Sequence, residues 1–206
     1  MSGVLAVLLA FLLGSIPFAY IFAHIARGID IRQVGDGNVG AANVFRHAGL
    51  APGIATAVTD VAKGAMAVIV ARAIGGPSVL ALLAGTAAVA GHVLPFPLNF
   101  RGGRGAGTAM GVLLALVPRE VFMTIGLAAL AFFTTRSTKW CAGAIFVPLP
   151  LLAWLMGQPV AIVVYSFALP CMVGLIHFMT MRHLPAEARS EAGALWVARS
   201  ARRRIT

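Results

Sequence analysis

The chain has 206 residues, of which 60% are hydrophobic and only 11% charged, and its mean hydropathy is +0.92. A soluble domain carries about 25% charged residues, so the composition excludes an ordinary soluble fold and indicates an all-α, polytopic integral membrane protein. Sixteen Lys/Arg against six Asp/Glu give a net charge of +10, but the basic residues lie between apolar runs, where they set topology rather than bind nucleic acid.

Seven apolar runs follow one another, each long enough to cross a bilayer or short but supportable by its neighbours. The first spans 4–23. It has neither a basic leader nor a small-residue cleavage site, so it reads as a membrane anchor rather than a signal peptide. The second, 52–74, is interrupted only by Asp60 and Lys63. A Gly75-Gly76-Pro77 turn leads into the third, 78–94. The fourth, 106–117, ends at Pro118-Arg119-Glu120, and the fifth covers 121–134. The sixth, 141–156, and the seventh, 160–178, are separated by the turn Gly157-Gln158-Pro159.

The fourth and fifth runs form either two short helices or one long span broken at Pro118, and charge favours two. Seven spans put Arg27, Arg32, Arg46, Arg101, Arg104, Arg136, Lys139 and Arg182 on one side, and Arg72 and Arg119 on the other. By the positive-inside rule the N-terminus is then outside and the C-terminus cytoplasmic. Residues 1–182 form a single transmembrane domain, and 183–206 a basic cytoplasmic tail. That tail carries Arg199, Arg202, Arg203 and Arg204 near Trp196, and is either a disordered end or a surface helix on anionic lipid. Cys141 and Cys171 lack metal or redox spacing and read as small buried hydrophobes.

Three polar loops on the basic side, 27–49, 91–111 and 176–183, hold more than a connector needs. Gly35-Asp36-Gly37-Asn38-Val39-Gly40 is a literal G-x-G-x-x-G. A dinucleotide fingerprint requires a strand before it and a βαβ unit around it; here apolar helices flank it. What remains is an anion cradle: glycines that let N–H groups converge, a helix starting near Asn43, and side-chain donors on Asn38, Asn43 and Arg46. The second loop, Arg101-Gly102-Gly103-Arg104-Gly105, lacks the Lys-Ser/Thr of a Walker loop but presents guanidiniums suited to phosphate. His92 and His177 recur at helix ends on the same side. Asp60 and Lys63, three apart on one helical face, read as a structural ion pair with each other or with the glycine loop. Metal-ligand spacing and serine-triad motifs are absent, and no cofactor is expected.

In order and spacing, "GSIPFAYI", "GDGNVGAANVFRHAG", "DVAKG", "GHVLPFPLNFRGGRGAGTAMG" and a late His177…Arg182 resemble the bacterial acyl-phosphate:glycerol-3-phosphate acyltransferases. The resemblance implies a seven-helix inner-membrane enzyme with its site facing the cytoplasm. Such an enzyme passes a fatty acyl group from acyl phosphate to the 1-hydroxyl of sn-glycerol 3-phosphate, giving lysophosphatidic acid for phospholipid biosynthesis. It also implies an enzyme that supplies acyl phosphate. His24 and Asp30 stand one residue too far apart for the H-x-x-x-x-D motif of other glycerol-phosphate acyltransferases.

Carried over, the resemblance makes His177 and Arg104 catalytic. It puts substrate phosphates on Gly35, Asp36, Gly37, Asn38, Gly40, Asn43, Arg46, Gly102, Gly103 and Gly105, with His92, Thr180 and Lys139 in support. The chain departs from the pattern at polar positions: Asp36 replaces Ser, Ala42 replaces Thr, Arg104 replaces Lys and Thr180 replaces Asn, while Lys139 and Ala142 align with serines. Asp36 thus has three candidate partners, Arg46, Arg104 and Lys139. The competing readings are an altered-substrate or non-catalytic paralogue and a small membrane transporter. A transporter of this kind calls for inverted repeats, which the sequence lacks.

Overall fold

The computed structural model describes residues 2–135 and 137–182, and its regular elements are helices. They are α1 (Ser2–Gly14), α2 (Phe18–Arg27), α3 (Ala41–His47), α4 (Leu50–Ala73), α5 (Ser78–Val93), α6 (Ala106–Leu116), α7 (Pro118–Thr135), α8 (Thr138–Phe146), α9 (Leu149–Leu155) and α10 (Val160–Met181). Four segments are long and apolar enough to cross a membrane: Gly3–Arg27, Leu50–Ala73, Ser78–Leu98 and Val160–Met181. Ala106–Leu116 and Trp140–Leu155 are shorter apolar helices. The tail from residue 183 and the Lys139 side chain lie outside the described residues.

Two of the expected runs are broken by proline. The first is two helices, α1 and α2, because Pro17 has no N–H and disfavours helical backbone at Ile16. The carbonyl that this break releases at Ile16 accepts from Lys63 Nζ at 3.1 Å. The sixth run is likewise split at Val147-Pro148 into α8 and α9.

Helix packing rests on small residues, as is usual where lipid cannot drive helices together by the hydrophobic effect. A Cβ on Gly111 of α6 would lie 1.8 Å from the Val61 carbonyl of α4, and one on Gly64 of α4 would lie 2.0 Å from the Thr108 carbonyl. The α1–α5 contact is built the same way, with Gly91 against the Phe11 carbonyl and Gly14 against Ala88. The core between them is mostly Ala and Val, including Ala84, Ala88, Val89, Ala109 and Val112, all fully buried. Large side chains point outward instead: Leu8 and Leu12 on α1, Leu130 and Phe133 on α7, Phe167 and Leu175 on α10. Such an outer surface suits hydrocarbon, not water.

The stretch between Ala106 and Thr135 is two helices meeting at Val117–Pro118. Arg72 Nη1 donates to the Ala115 carbonyl at 2.7 Å, joining the ends of α4 and α6. Gln158 Nε2 donates to Glu120 Oε1 at 2.6 Å, joining the α9–α10 turn to the start of α7. These links mark one end of the bundle. The loops 28–49 and 94–105 gather at the opposite end.

Candidate active site

Beneath the two loops lies a buried polar bolt. Asp60 and Lys63 of α4 stand 2.9 Å apart with side chains 4% and 2% exposed. Asp60 Oδ1 also faces His92 Nδ1 of α5 at 3.4 Å. With Lys63 donating to Ile16, one cluster ties the α1–α2 break, α4 and α5 together. His92 carries the link onward, since a Cβ on Gly103 would fall 2.2 Å from its Nε2. Sequence spacing pointed to Asp60 and Lys63 as a pair. It missed Ile16 as third partner, although Pro17 was the signal: the residue before a mid-run proline sits where a helix breaks and releases a carbonyl.

The first loop is held by its own polar groups. Asp30 caps the short 3-10 turn Ile31–Gln33 by accepting from Arg32 N at 3.0 Å, and grips the Arg32 guanidinium with both oxygens. That side-chain hydrogen bond holds the Asp30 carboxyl below the usual carboxylate range, and Asp30 in turn raises Arg32. Asn43 is fully buried, and its Nδ2 lies 3.0–3.1 Å from the carbonyls of Ile31, Val34 and Asn38. Its amide donors therefore shape the loop rather than face a ligand. The helix that follows starts at Ala41, two residues earlier than expected, and has 7 residues.

The glycines serve close approach more than N–H donation. The Gly37 N–H donates to Val34 and the Gly40 N–H to Asn38, while those of Gly102 and Gly103 donate to Val93 and His92. These four amides, expected to cradle phosphate, are engaged inside the protein. Gly35, Gly37 and Gly105 have φ of 62°, 65° and 86°, in the left-handed region that favours glycine. A Cβ on Gly102 would meet the His92 carbonyl at 2.2 Å.

The two loops meet at Asp36. Its side chain is 1% exposed, with Oδ2 2.9 Å from Arg104 Nη1 and Oδ1 3.4 Å from Arg46 Nη2. The backbone N–H of Asn38 donates to the same Oδ1 at 3.4 Å. Of the three partners open to Asp36 on sequence, the structure brings Arg46 and Arg104 to it. Arg104 is 8% exposed, and among the described residues its Nε and Nη2 are buried with no hydrogen-bond partner. A buried charged donor left in that condition is costly, and an anion against this edge of the guanidinium would relieve that cost. Between the same two loops a polar cleft of about 320 Å³ is lined by Asp30, Arg32, Gln33, Gly37, Arg101 and Gly102.

α10 borders the same region. A Cβ on Gly105 would lie 3.6 Å from Val173 Cγ2, and His177 and Thr180 follow Val173 at helical spacings of four and seven on the same face. His177 is half-buried, whereas Thr180 is exposed and returns its hydroxyl to the Ile176 carbonyl at 2.7 Å. Among the described residues, no group of three His, Cys, Asp or Glu side chains is arranged to hold a metal.

A family model described as glycerol-3-phosphate acyltransferase matches residues 4–190. The chain belongs to the glycerol-3-phosphate acyltransferase family. Among its relatives, glycerol-3-phosphate acyltransferase 4 of Dehalococcoides mccartyi is 41% identical over 86% of this chain and 96% of its own. The glycerol-3-phosphate acyltransferase of a Synechococcus strain is 35% identical over 95% and 96%. The crystal structure of PlsY, an integral membrane glycerol 3-phosphate acyltransferase, in its glycerol 3-phosphate form superposes with a TM-score of 0.84, at 27% identity and 98% coverage of both chains. The lysophosphatidic acid form gives a TM-score of 0.79 at 28% identity, covering 88% of this chain and 91% of that one. This glycerol-3-phosphate acyltransferase is therefore a bacterial, membrane-spanning enzyme of phospholipid biosynthesis, and the transporter reading falls away.

Proposed function

We propose that the enzyme transfers a fatty acyl group from acyl phosphate to the 1-hydroxyl of glycerol 3-phosphate on the cytoplasmic face of the bacterial inner membrane. The observation that supports this reading best is the buried Arg104 guanidinium, with two N–H positions unpartnered among the described residues, at the meeting of two glycine loops that also line a polar cleft. In this reading seven segments cross the bilayer, with the N-terminus outside and the basic loops inside.

Acyl phosphate is a mixed anhydride and already activated. The attacking hydroxyl oxygen forms a bond to the acyl carbon, and the bond from that carbon to the phosphate oxygen breaks. The electron pair leaves with phosphate, and the hydroxyl proton is balanced on the phosphate product. The protein's part is to hold two anions in register and stabilise the oxyanion, more than to supply a strong base. Arg104 and Arg46 hold phosphoryl oxygens, His177 approaches the reacting hydroxyl from α10, and Thr180, His92 and Lys139 support it. The glycines and Asn38 shape the loops, and Asn43 fixes their curvature. Arg32 and Arg101 in the cleft draw in glycerol 3-phosphate from water, while the acyl tail stays in the bilayer. A separate enzyme that makes acyl phosphate must supply the donor.

Asp36 favours one second reading, an altered-substrate or non-catalytic relative, because a carboxylate already sits against both guanidiniums. Purified protein with acyl phosphate and glycerol 3-phosphate separates the two: phosphate release matched by lysophosphatidic acid supports the first, and no release above background from folded protein sinks it.

A further inference from the structure

We propose that Asp36 is a positioning residue for Arg104, and that the two form one unit standing where the family pattern has Ser and Lys. The inference rests on the phosphate-holding role given to Arg104 above, and adds how that role survives two substitutions at polar positions. The two departures touch: Asp36 Oδ2 lies 2.9 Å from Arg104 Nη1.

The geometry gives the reason. A lysine ammonium is a compact point charge that needs no alignment, whereas a guanidinium is planar and grips phosphate along one edge with two parallel N–H bonds. An arginine in this turn is useful only if its plane is fixed. Asp36 takes Nη1, and what remains is the Nε–Nη2 edge, buried and without a partner. Asp36 is itself anchored, since its other oxygen is held by Arg46 Nη2 and the Asn38 N–H, both at 3.4 Å. A serine at 36 is shorter and uncharged, so it would leave the guanidinium plane unset. A lysine at 104 against Asp36 would have its single point charge compensated by the carboxylate and would offer phosphate no planar two-donor edge. Asp therefore belongs with Arg and Ser with Lys, and either mixed pair is mismatched.

The test is the cycle of wild type, Asp36→Ser, Arg104→Lys and the double variant, with Asp36→Asn as a near-isosteric fifth protein. Values of kcat and KM for both substrates are measured beside the unfolding temperature in detergent. Each single variant should lose about tenfold or more in kcat/KM, a coupling of the size seen for residues in direct contact, and the double should return to within about threefold of wild type. Losses that multiply in the double, or an Asp36→Ser or Asp36→Asn enzyme as fast as wild type, would overturn the inference. A second reading needs no turnover: inorganic phosphate should raise the unfolding temperature of wild type and the double more than that of the singles. Equal rises in all the proteins would also overturn it. An inactive wild type that keeps this phosphate pattern would count against the acyl-transfer reading while leaving the Asp36–Arg104 unit standing.

Discussion

Replacing Asp60 by Leu removes the only carboxylate against Lys63 among the described residues, in a place where both side chains are almost fully buried. At 2.9 Å the attraction is about 6 kcal/mol for an effective dielectric near 20, largely offset by the cost of taking both ions out of water. Breaking one side is different, because the ammonium stays buried with the Ile16 carbonyl as its remaining hydrogen-bond acceptor. Such single deletions cost about 3–5 kcal/mol, or roughly 6–20 °C of unfolding temperature for a chain this size. The double variant Asp60→Leu, Lys63→Met removes both charges together. It loses only the hydrogen bond to Ile16 and the facing partner of His92, about 1–3 kcal/mol for each group left unsatisfied, and regains the desolvation cost of both ions. Unfolding temperatures in detergent should rank wild type and the double within about 5 °C of each other, with Asp60→Leu well below both. A double variant as unstable as the single, or a single within about 2 °C of wild type, would refute the bolt as described.

Gly111→Leu should abolish folded protein, because even its Cβ would enter the Val61 carbonyl; Gly126→Ala, with nothing within 4 Å of its Cβ, should fold normally, and size-exclusion profiles distinguish the two. Gln158→Ala should lower stability by about 1–3 kcal/mol, because it strips the partner from Oε1 of fully buried Glu120; equal unfolding temperatures would remove the latch between α7 and the α9–α10 turn. The lowered Asp30 carboxyl stabilises the fold above its unfolded value near 3.9, and that contribution is lost as pH falls through the folded value. The stability difference between wild type and Asp30→Asn should thus be small and flat from pH 8 to 5, and shrink below about pH 4; a difference that grows on acidification would reverse the assignment.

Much of the fold was legible because apolar length and loop charge are strong signals in a membrane chain. The reading of 106–135 as two spans came from the placement of Arg136 and Lys139; α6 and α7 are separate helices, which either two short spans or one span broken at Pro118 would give. The breaks at Pro17 and Pro148 were not anticipated: hydropathy averages over a run and is blind to one missing N–H. At the site, motif order brought the right loops together. A pattern of glycines does not say whether an N–H faces a ligand or a neighbouring carbonyl, and those of Gly37, Gly40, Gly102 and Gly103 donate within the protein. Gly102 and Gly103 proved to be spacers against His92, and Asn43 a loop former. Nothing in spacing alone could choose among Arg46, Arg104 and Lys139 as partners of Asp36, since that choice depends on how α3 and α6 are each placed against α4.

Phosphate release by the purified protein, with and without Arg104→Ala, decides whether acyl transfer runs through this arginine. Wild type given acyl phosphate and glycerol 3-phosphate should release phosphate in step with lysophosphatidic acid, and Arg104→Ala, folded to the same degree, should lose at least about a hundredfold in kcat/KM. Unchanged kinetics in the Arg104→Ala enzyme, or no release from folded wild type, would contradict the account.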